Sequence, residues 1–281
     1  MQPFSVGINL SLLLGTLLIS QAALAKADRI VALSPHAVEM LYAIGAGDRI
    51  IATTDHADYP EAAKQIPRIG GYHGIQMEKL LALNPDLVVV WGSGNRPEDM
   101  DRMRQLGLKL YNSDPKTLEA VADELEELGE LTGQTLKAAE QAKQLRDQLA
   151  KQRKAHANAA PVKVFYQLWS QPLMTVAEGS WIQQILAVCG GTNVFANAAS
   201  AYPQVSLENV LLTSPQVILQ SQDKGNILGV DWQQWPDIPA VKQHQIYQLN
   251  ADLLHRAGPR VTLGVKATCD ALDKARTAYS Q

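Results

Sequence analysis

The chain has two cysteines in 281 residues, no run of basic residues and no apolar stretch long enough to span a bilayer. Lys and Arg total 25 against 28 Asp and Glu, a formal charge of −3. This balance, with no basic run, argues against a nucleic-acid partner, which needs a cationic face. Catalytic signatures are missing too. There is no G-x-S-x-G, no H-E-x-x-H and no phosphate loop. Gly45-Ala46-Gly47 follows a helix pattern rather than a strand and lacks a third glycine, so it does not read as a dinucleotide site. Neither cysteine stands in a C-x-x-C pair, which argues against redox chemistry. The six histidines (His36, His56, His73, His156, His244 and His255) are scattered, with no His-rich loop. Scattered histidines are more often surface or pocket residues than ligands, so no metal is expected. No catalytic residue stands out, and the chain does not read as an enzyme.

At the amino end, residues 8–19 are apolar but too short for an anchor, and Ala23-Leu24-Ala25 fits a small-residue cleavage site. Residues 1–25 are expected to be a signal peptide, with Lys26 opening a mature chain of about 256 residues. The segment before the apolar core carries no Lys or Arg, and an uncleaved anchor is the alternative. No cysteine lies near the cleavage site, so a lipoprotein is not expected and the periplasm is the expected compartment. In an exported chain an even cysteine count reads as one disulfide, the alternative being two separate buried thiols. A bridge between Cys189 and Cys269 would close a loop of about 80 residues, for which loop entropy suggests roughly 4–5 kcal/mol.

One pattern occurs twice. Residues 77–90 (Met-Glu-Lys-Leu-Leu-Ala-Leu-Asn-Pro-Asp-Leu-Val-Val-Val) read as a short helix, a Pro-marked turn and a buried strand, and residues 207–219 read the same way. Glu78 matches Glu208 and Pro85 matches Pro215, each 130 positions on. A chance match of a common unit is the alternative; the gapless register of Glu, Pro and apolar run favours a true repeat. Strands at 30–33, 50–53, 108–111, 164–167 and 246–249 alternate with helical stretches, which predicts parallel sheets. The stretch 135–160 lacks Gly and Pro until Pro161 and predicts a long helix joining two α/β lobes, 26–134 and 161–281. The expected fold is therefore two Rossmann-like lobes with a ligand cleft between them. In such sheets ligands sit beyond the carboxyl ends of strands, where His56, Trp91 and Trp169 fall. Asp252 and Arg256, four apart, form either a surface pair of small worth or a polar edge aimed into the cleft.

These residues together resemble the periplasmic cobalamin-binding proteins of vitamin B12 ABC importers, within the siderophore, haem and cobalamin class. The resemblance covers essentially the whole mature chain. It rests on Leu33-Ser34-Pro35 with Glu39, Asp58-Tyr59-Pro60, residues 83–88, residues 188–195, Tyr202-Pro203-Gln204-Val205-Ser206 with Glu208, and residues 252–256 with Pro259-Arg260. It implies two lobes with little hinge motion and a disulfide matching Cys189 and Cys269. It implies docking of Glu78 and Glu208, one per lobe, on arginines of the membrane permease subunits. It also implies a monomeric carrier whose ligand is cobalamin, transported rather than held as a cofactor. The cleft residues implied are His56, Tyr72, Trp91, Trp169, Tyr202, Asp252 and Arg256. Four positions depart from the family: His56 stands for a Tyr, Tyr72 and Tyr202 for Trp, and Leu168, beside Trp169, for a Phe. The resulting cleft is more polar. Haem or a ferric siderophore is the alternative ligand class, and an exported metal-binding protein or enzyme a more distant one.

Overall fold

A computed structural model describes residues 26–222 and 230–280; the expected signal peptide, residues 1–25, lies outside the described residues. Short runs of β-branched and aliphatic residues form the strands. In the first lobe these are β1 (Ile30–Ala32), β2 (Ile50–Thr53), β3 (Leu87–Val90) and β4 (Leu110–Asn112). In the second they are β5 (Val162–Gln167), β6 (Gly191–Asn193), β7 (Val217–Gln222) and β8 (Ile246–Asn250). The helices are α1 (Pro35–Ala43), α2 (Met77–Ala82), α3 (Pro97–Gln105), α4 (Ala120–Thr132), α5 (Thr135–His156), α6 (Trp181–Val188), α7 (Leu207–Thr213), α8 (Pro239–Lys242), α9 (Ala251–Leu254) and α10 (Val261–Tyr279). None of the described helices is long and apolar enough to cross a membrane.

The two sheets have one design. The first runs β2-β1-β3-β4 and the second β6-β5-β7-β8, all parallel. The repeated unit occupies the same place in each: α2 feeds β3 and α7 feeds β7, the third strand of its sheet. The residue before each repeat proline, Asn84 or Ser214, adopts a positive φ (44° and 49°), so the turn repeats as well as the sequence. In both sheets the chain order reverses beside the first strand of the lobe, creating a crevice at the strands' carboxyl ends.

Strand alternation decides which face meets which core. Ile30, Ala32, Leu87, Val89, Val217 and Leu219 join one large cluster that spans both lobes through Leu145 and Leu149 of α5. Val31, Leu33, Val88 and Val90 face a second cluster under α2 and α3, and Phe165 and Ile218 face a third with Val210 and Trp232. Each sheet is thus covered twice, and the shared inner core fixes one lobe on the other. The 22-residue α5, about 33 Å long, buries Ala138, Ala142, Leu145, Leu149 and His156 in one stripe. Its small residues allow close approach: a Cβ on Gly129 of α4 would lie 2.3 Å from Cβ of Ala138. At its far end His156 donates from Nδ1 to the Gln152 carbonyl (2.8 Å) and meets Asp273 of α10 at 3.1 Å.

The cysteines are bridged. Cys189, after α6, joins Cys269 of α10 across a separation of 80 residues, both side chains buried. The reading as separate thiols is overturned, since the described residues contain no free cysteine. Two expectations shift. The strand read at 108–111 starts at Leu110, because Gly107 (φ 74°) and Leu108, whose N–H bonds back to Met103, still belong to the end of α3. The strand Gly191–Asn193 carries too little apolar pattern to be read from sequence.

Candidate ligand-binding cleft

The switch point of the first sheet is framed by the segments after β1 and β3. Ser34 caps α1 by accepting from the Ala37 N–H, and Pro35 starts the helix. His36 follows and lies edge-on to Trp91, ring centroids 5.4 Å apart. Its Nε2 lies 3.1 Å from the Ser113 carbonyl; a carbonyl only accepts, so this nitrogen carries the hydrogen. Burial lowers the His36 pKa to about 4, against the Ser113 carbonyl and the Asp114 charge, which favour the cation.

The other ring-bearing residues are unusually exposed. Tyr72 is 74% exposed, Trp169 64% and Tyr202 46%. Exposed aromatics at strand ends of both lobes are the kind of surface a flat ligand covers. Tyr72 lies between the paired segments Gly70–Gly71 and Gly74–Ile75, its ring 3.7 Å from that of His73, in a loop tied to the end of β2 by Asp55 N–H to Gly70 O (2.9 Å). His56 sits in the same loop, exposed and with φ 64°. On the other lobe Trp169 follows β5 and pairs with Met174, which bridges to Gln204, so Trp169 and Tyr202 stand on neighbouring segments. The Tyr202 hydroxyl accepts from the Trp181 N–H at 3.4 Å, and the Trp181 indole donates to Leu254 O at 2.8 Å. That chain of bonds ties Tyr202 to the turn carrying Asp252 and Arg256.

Asp252 and Arg256 do meet, at 2.7 Å, but not on the surface. Arg256 Nη1 also donates to Asp58 (2.9 Å) and Glu39 (3.1 Å) of the first lobe. Arg260 grips Glu39 with two bonds, Nε at 2.8 Å and Nη2 at 2.6 Å, while its guanidinium lies 3.8 Å from the centroid of the Tyr59 ring. The Glu39 side chain is 2% exposed and the two arginines 13% and 16%. Burial works against the charge on Arg256, but the hydrogen bonds to Asp58 and Glu39 and the Asp252 charge hold its pKa above the ordinary value. No ring contact among the described residues joins the aromatics of one lobe to those of the other; this ion cluster does the joining.

The partners Glu39 and Asp58 are the site residues that the cleft assignment missed. A signal was present: Glu39 is a lone carboxylate among Ala37, Val38, Met40 and Leu41 on a helix with no basic residue. Glu78 and Glu208 lie elsewhere, exposed in the first turns of α2 and α7. Bonds from its own N–H and from Ser206 hold the Glu208 carboxyl below its ordinary value, so it is charged at neutral pH. No group of three or more His, Cys, Asp or Glu among the described residues is arranged to hold a metal ion.

Residues 30–253 match the model of a family of periplasmic binding proteins. The chain belongs to the periplasmic binding protein family. Within it, the chain is 38% identical to the vitamin B12-binding protein of Vibrio cholerae serotype O1 over 257 residues, 90% of this chain and 93% of that one. It superposes on the crystal structure of the periplasmic vitamin B12-binding protein BtuF of Vibrio cholerae with a TM-score of 0.82 at 38% identity, over 89% of this chain and 98% of that one. The periplasmic haem-binding protein RhuT of Roseiflexus sp. RS-1 follows at 0.78 and 27% identity, covering 89% and 99%. The two-lobed architecture with parallel sheets is thus that of this binding-protein family.

Two outcomes test the site's electrostatics. Glu39→Gln leaves two buried guanidinium groups under-compensated and should cost about 3 kcal/mol in urea unfolding. Asp147→Asn, which breaks the exposed pair with Lys143, should cost under about 0.5 kcal/mol; equal costs would contradict the cluster's role. The second concerns pH. His36 is neutral when folded down to about pH 4 but charges near 6.5 when unfolded. Its contribution is therefore complete above pH 6.5 and is lost as pH falls to 4. Glu124, which burial raises from 4.5 to about 7, acts in the opposite sense, costing stability as pH rises through that window. Relative to His36→Gln, the wild type should gain about 3 kcal/mol from pH 4 to 6.5. Parallel curves would contradict the burial argument.

Proposed function

We propose that this chain is a periplasmic solute-binding protein that captures cobalamin or a related corrinoid and delivers it to an ABC importer. What supports the reading is that Tyr72 on one lobe and Trp169 and Tyr202 on the other are exposed, that the Asp252–Arg256 pair reaches Glu39 and Asp58 of the first lobe, and that the chain is 38% identical over 90% of its length to a vitamin B12-binding protein. The rings of Tyr72, Trp91, Trp169 and Tyr202 supply flat apolar faces, and the tyrosine hydroxyls, His56, Asp252 and Arg256 supply partners for the amides that edge a corrin. In this reading the protein carries out no reaction on its ligand. Residues 1–25 direct export and are removed without lipidation, residues 26–134 and 161–281 form the lobes, and residues 135–160 join them.

Docking follows from the repeat. Glu78 and Glu208 present one exposed carboxylate per lobe at matching sites of a pseudo-symmetric molecule, which suits a two-fold partner with a basic residue facing each. Leu212, 82% exposed one turn from Glu208, adds an apolar contact beside the charge. The carrier is a monomer that meets the paired permease subunits.

Titration with cobalamin should give a saturable spectral change and a melting temperature that rises with ligand concentration, because the ligand binds only the folded state. No shift with cobalamin and a clear one with haem would move the assignment to the haem class. Glu78→Lys with Glu208→Lys should leave that titration unchanged while abolishing transport through the importer. Normal uptake by the double variant would remove the docking role.

A further inference from the structure

The turn after α9 lies where the two lobes meet. Arg256 donates to Glu39 and Asp58 of the first lobe. A Cβ on Gly258 would stand 3.5 Å from Oε2 of Glu39 and 3.5 Å from Cβ of His36, and His36 is the residue that meets the edge of Trp91. On the other side the Leu254 carbonyl accepts from the Trp181 indole, and the Trp181 N–H donates to the Tyr202 hydroxyl. One turn therefore runs from the support of Trp91 to the support of Tyr202. Between the buried Leu254 and the buried Gly258, His255 is the one exposed residue.

That exposed ring is gripped from below. Nε2 of His255 lies 2.8 Å from the Tyr166 hydroxyl, and the two rings stand edge to face with centroids 6.2 Å apart. Tyr166 is 1% exposed, on β5 in the core shared by both lobes. Its carbonyl accepts from the Thr175 hydroxyl at 2.7 Å, and the Thr175 N–H donates to the Pro203 carbonyl at 3.0 Å, beside Tyr202. A phenol both donates and accepts, so it holds the imidazole in either tautomer. Packing alone does not ask for a tyrosine here, since a phenylalanine fills the same space without a hydroxyl to satisfy.

We infer that His255 is a further ligand-contacting residue of the cleft and that Tyr166 is its positioning residue, a buried hydroxyl that holds the imidazole ready at the junction of the lobes. An imidazole presents a flat apolar body and a polar edge, which suits a macrocycle bordered with amides. A ring already held spares the ordering cost that a mobile side chain incurs on binding. The inference rests on the proposed function for the identity of the ligand; the bond between Tyr166 and His255 belongs to the free protein.

The test joins an observation of the ring to a double-mutant cycle. In protein labelled with nitrogen-15 at histidine, the His255 ring resonances are identified by their loss in His255→Ala. Tyr166→Phe should move them in the ligand-free protein, and saturating cobalamin should move them in the wild type. Cobalamin affinity should fall about fivefold in His255→Ala and about threefold in Tyr166→Phe. In the His255→Ala background, Tyr166→Phe should change affinity by less than about 1.5-fold. Affinity of His255→Ala within about 1.5-fold of wild type, or ring resonances that cobalamin leaves in place, overturns the contact. Equal losses from Tyr166→Phe in both backgrounds overturn its positioning role. Should His255→Ala fold poorly, His255→Gln carries the same measurements. If the wild type binds haem and not cobalamin, the proposed function fails, and the same comparisons made with haem decide the inference. If it binds neither, both fall.

Discussion

The bond that most of this molecule depends on is the buried grip of Arg256 and Arg260 on Glu39. Its partners are more than two hundred residues apart in sequence and belong to different lobes. Taking a carboxylate out of water is expensive, and only close, multiple, charge-assisted contacts offset the cost. Those contacts exist only when the start of α10 and the turn before it sit against α1, so the cluster specifies one arrangement of the lobes. The inner core around α5 pushes the same way without directional demand. Together they hold Arg256 and Arg260 of the second lobe against Glu39 and Asp58 of the first.

The repeated unit gives the two lobes matching exposed carboxylates. Each lobe places the same helix–turn–strand module third in its sheet, so each offers an exposed glutamate at one end and a strand end at the other. The glutamates are exposed on α2 and α7; Trp91 follows β3, the repeat's strand in the first lobe, whereas Trp169 follows β5, the first strand of the second. The disulfide lies apart from both, linking the end of α6 to α10 and so holding the second lobe against the helix that carries the arginine grip.

Much of this was legible in the sequence for physical reasons. Ser34-Pro35 has only one common use, Leu-Val-Val-Val after a proline turn has few alternatives to a buried parallel strand, and the 135–156 helix has nothing in it to stop it. Trp91 and Trp169 fall at strand ends because strands that short leave little choice. What was not legible depended on partners distant in sequence. Asp252 and Arg256 read equally well as an exposed pair until Glu39 and Asp58 arrive from the other lobe. The strand at Gly191 is set by its pairing with β5 rather than by its own residues.

The central claim is that the lobes are held at one separation before ligand binds. Spin labels at Lys109→Cys and Lys242→Cys, both exposed and one on each lobe, would report it by pulsed electron–electron distance measurement. The account predicts a single distance in the free protein that changes by no more than about 2 Å with saturating cobalamin, and that broadens in Glu39→Gln. A closure of about 5 Å or more on binding, or a distribution that Glu39→Gln leaves untouched, would contradict it.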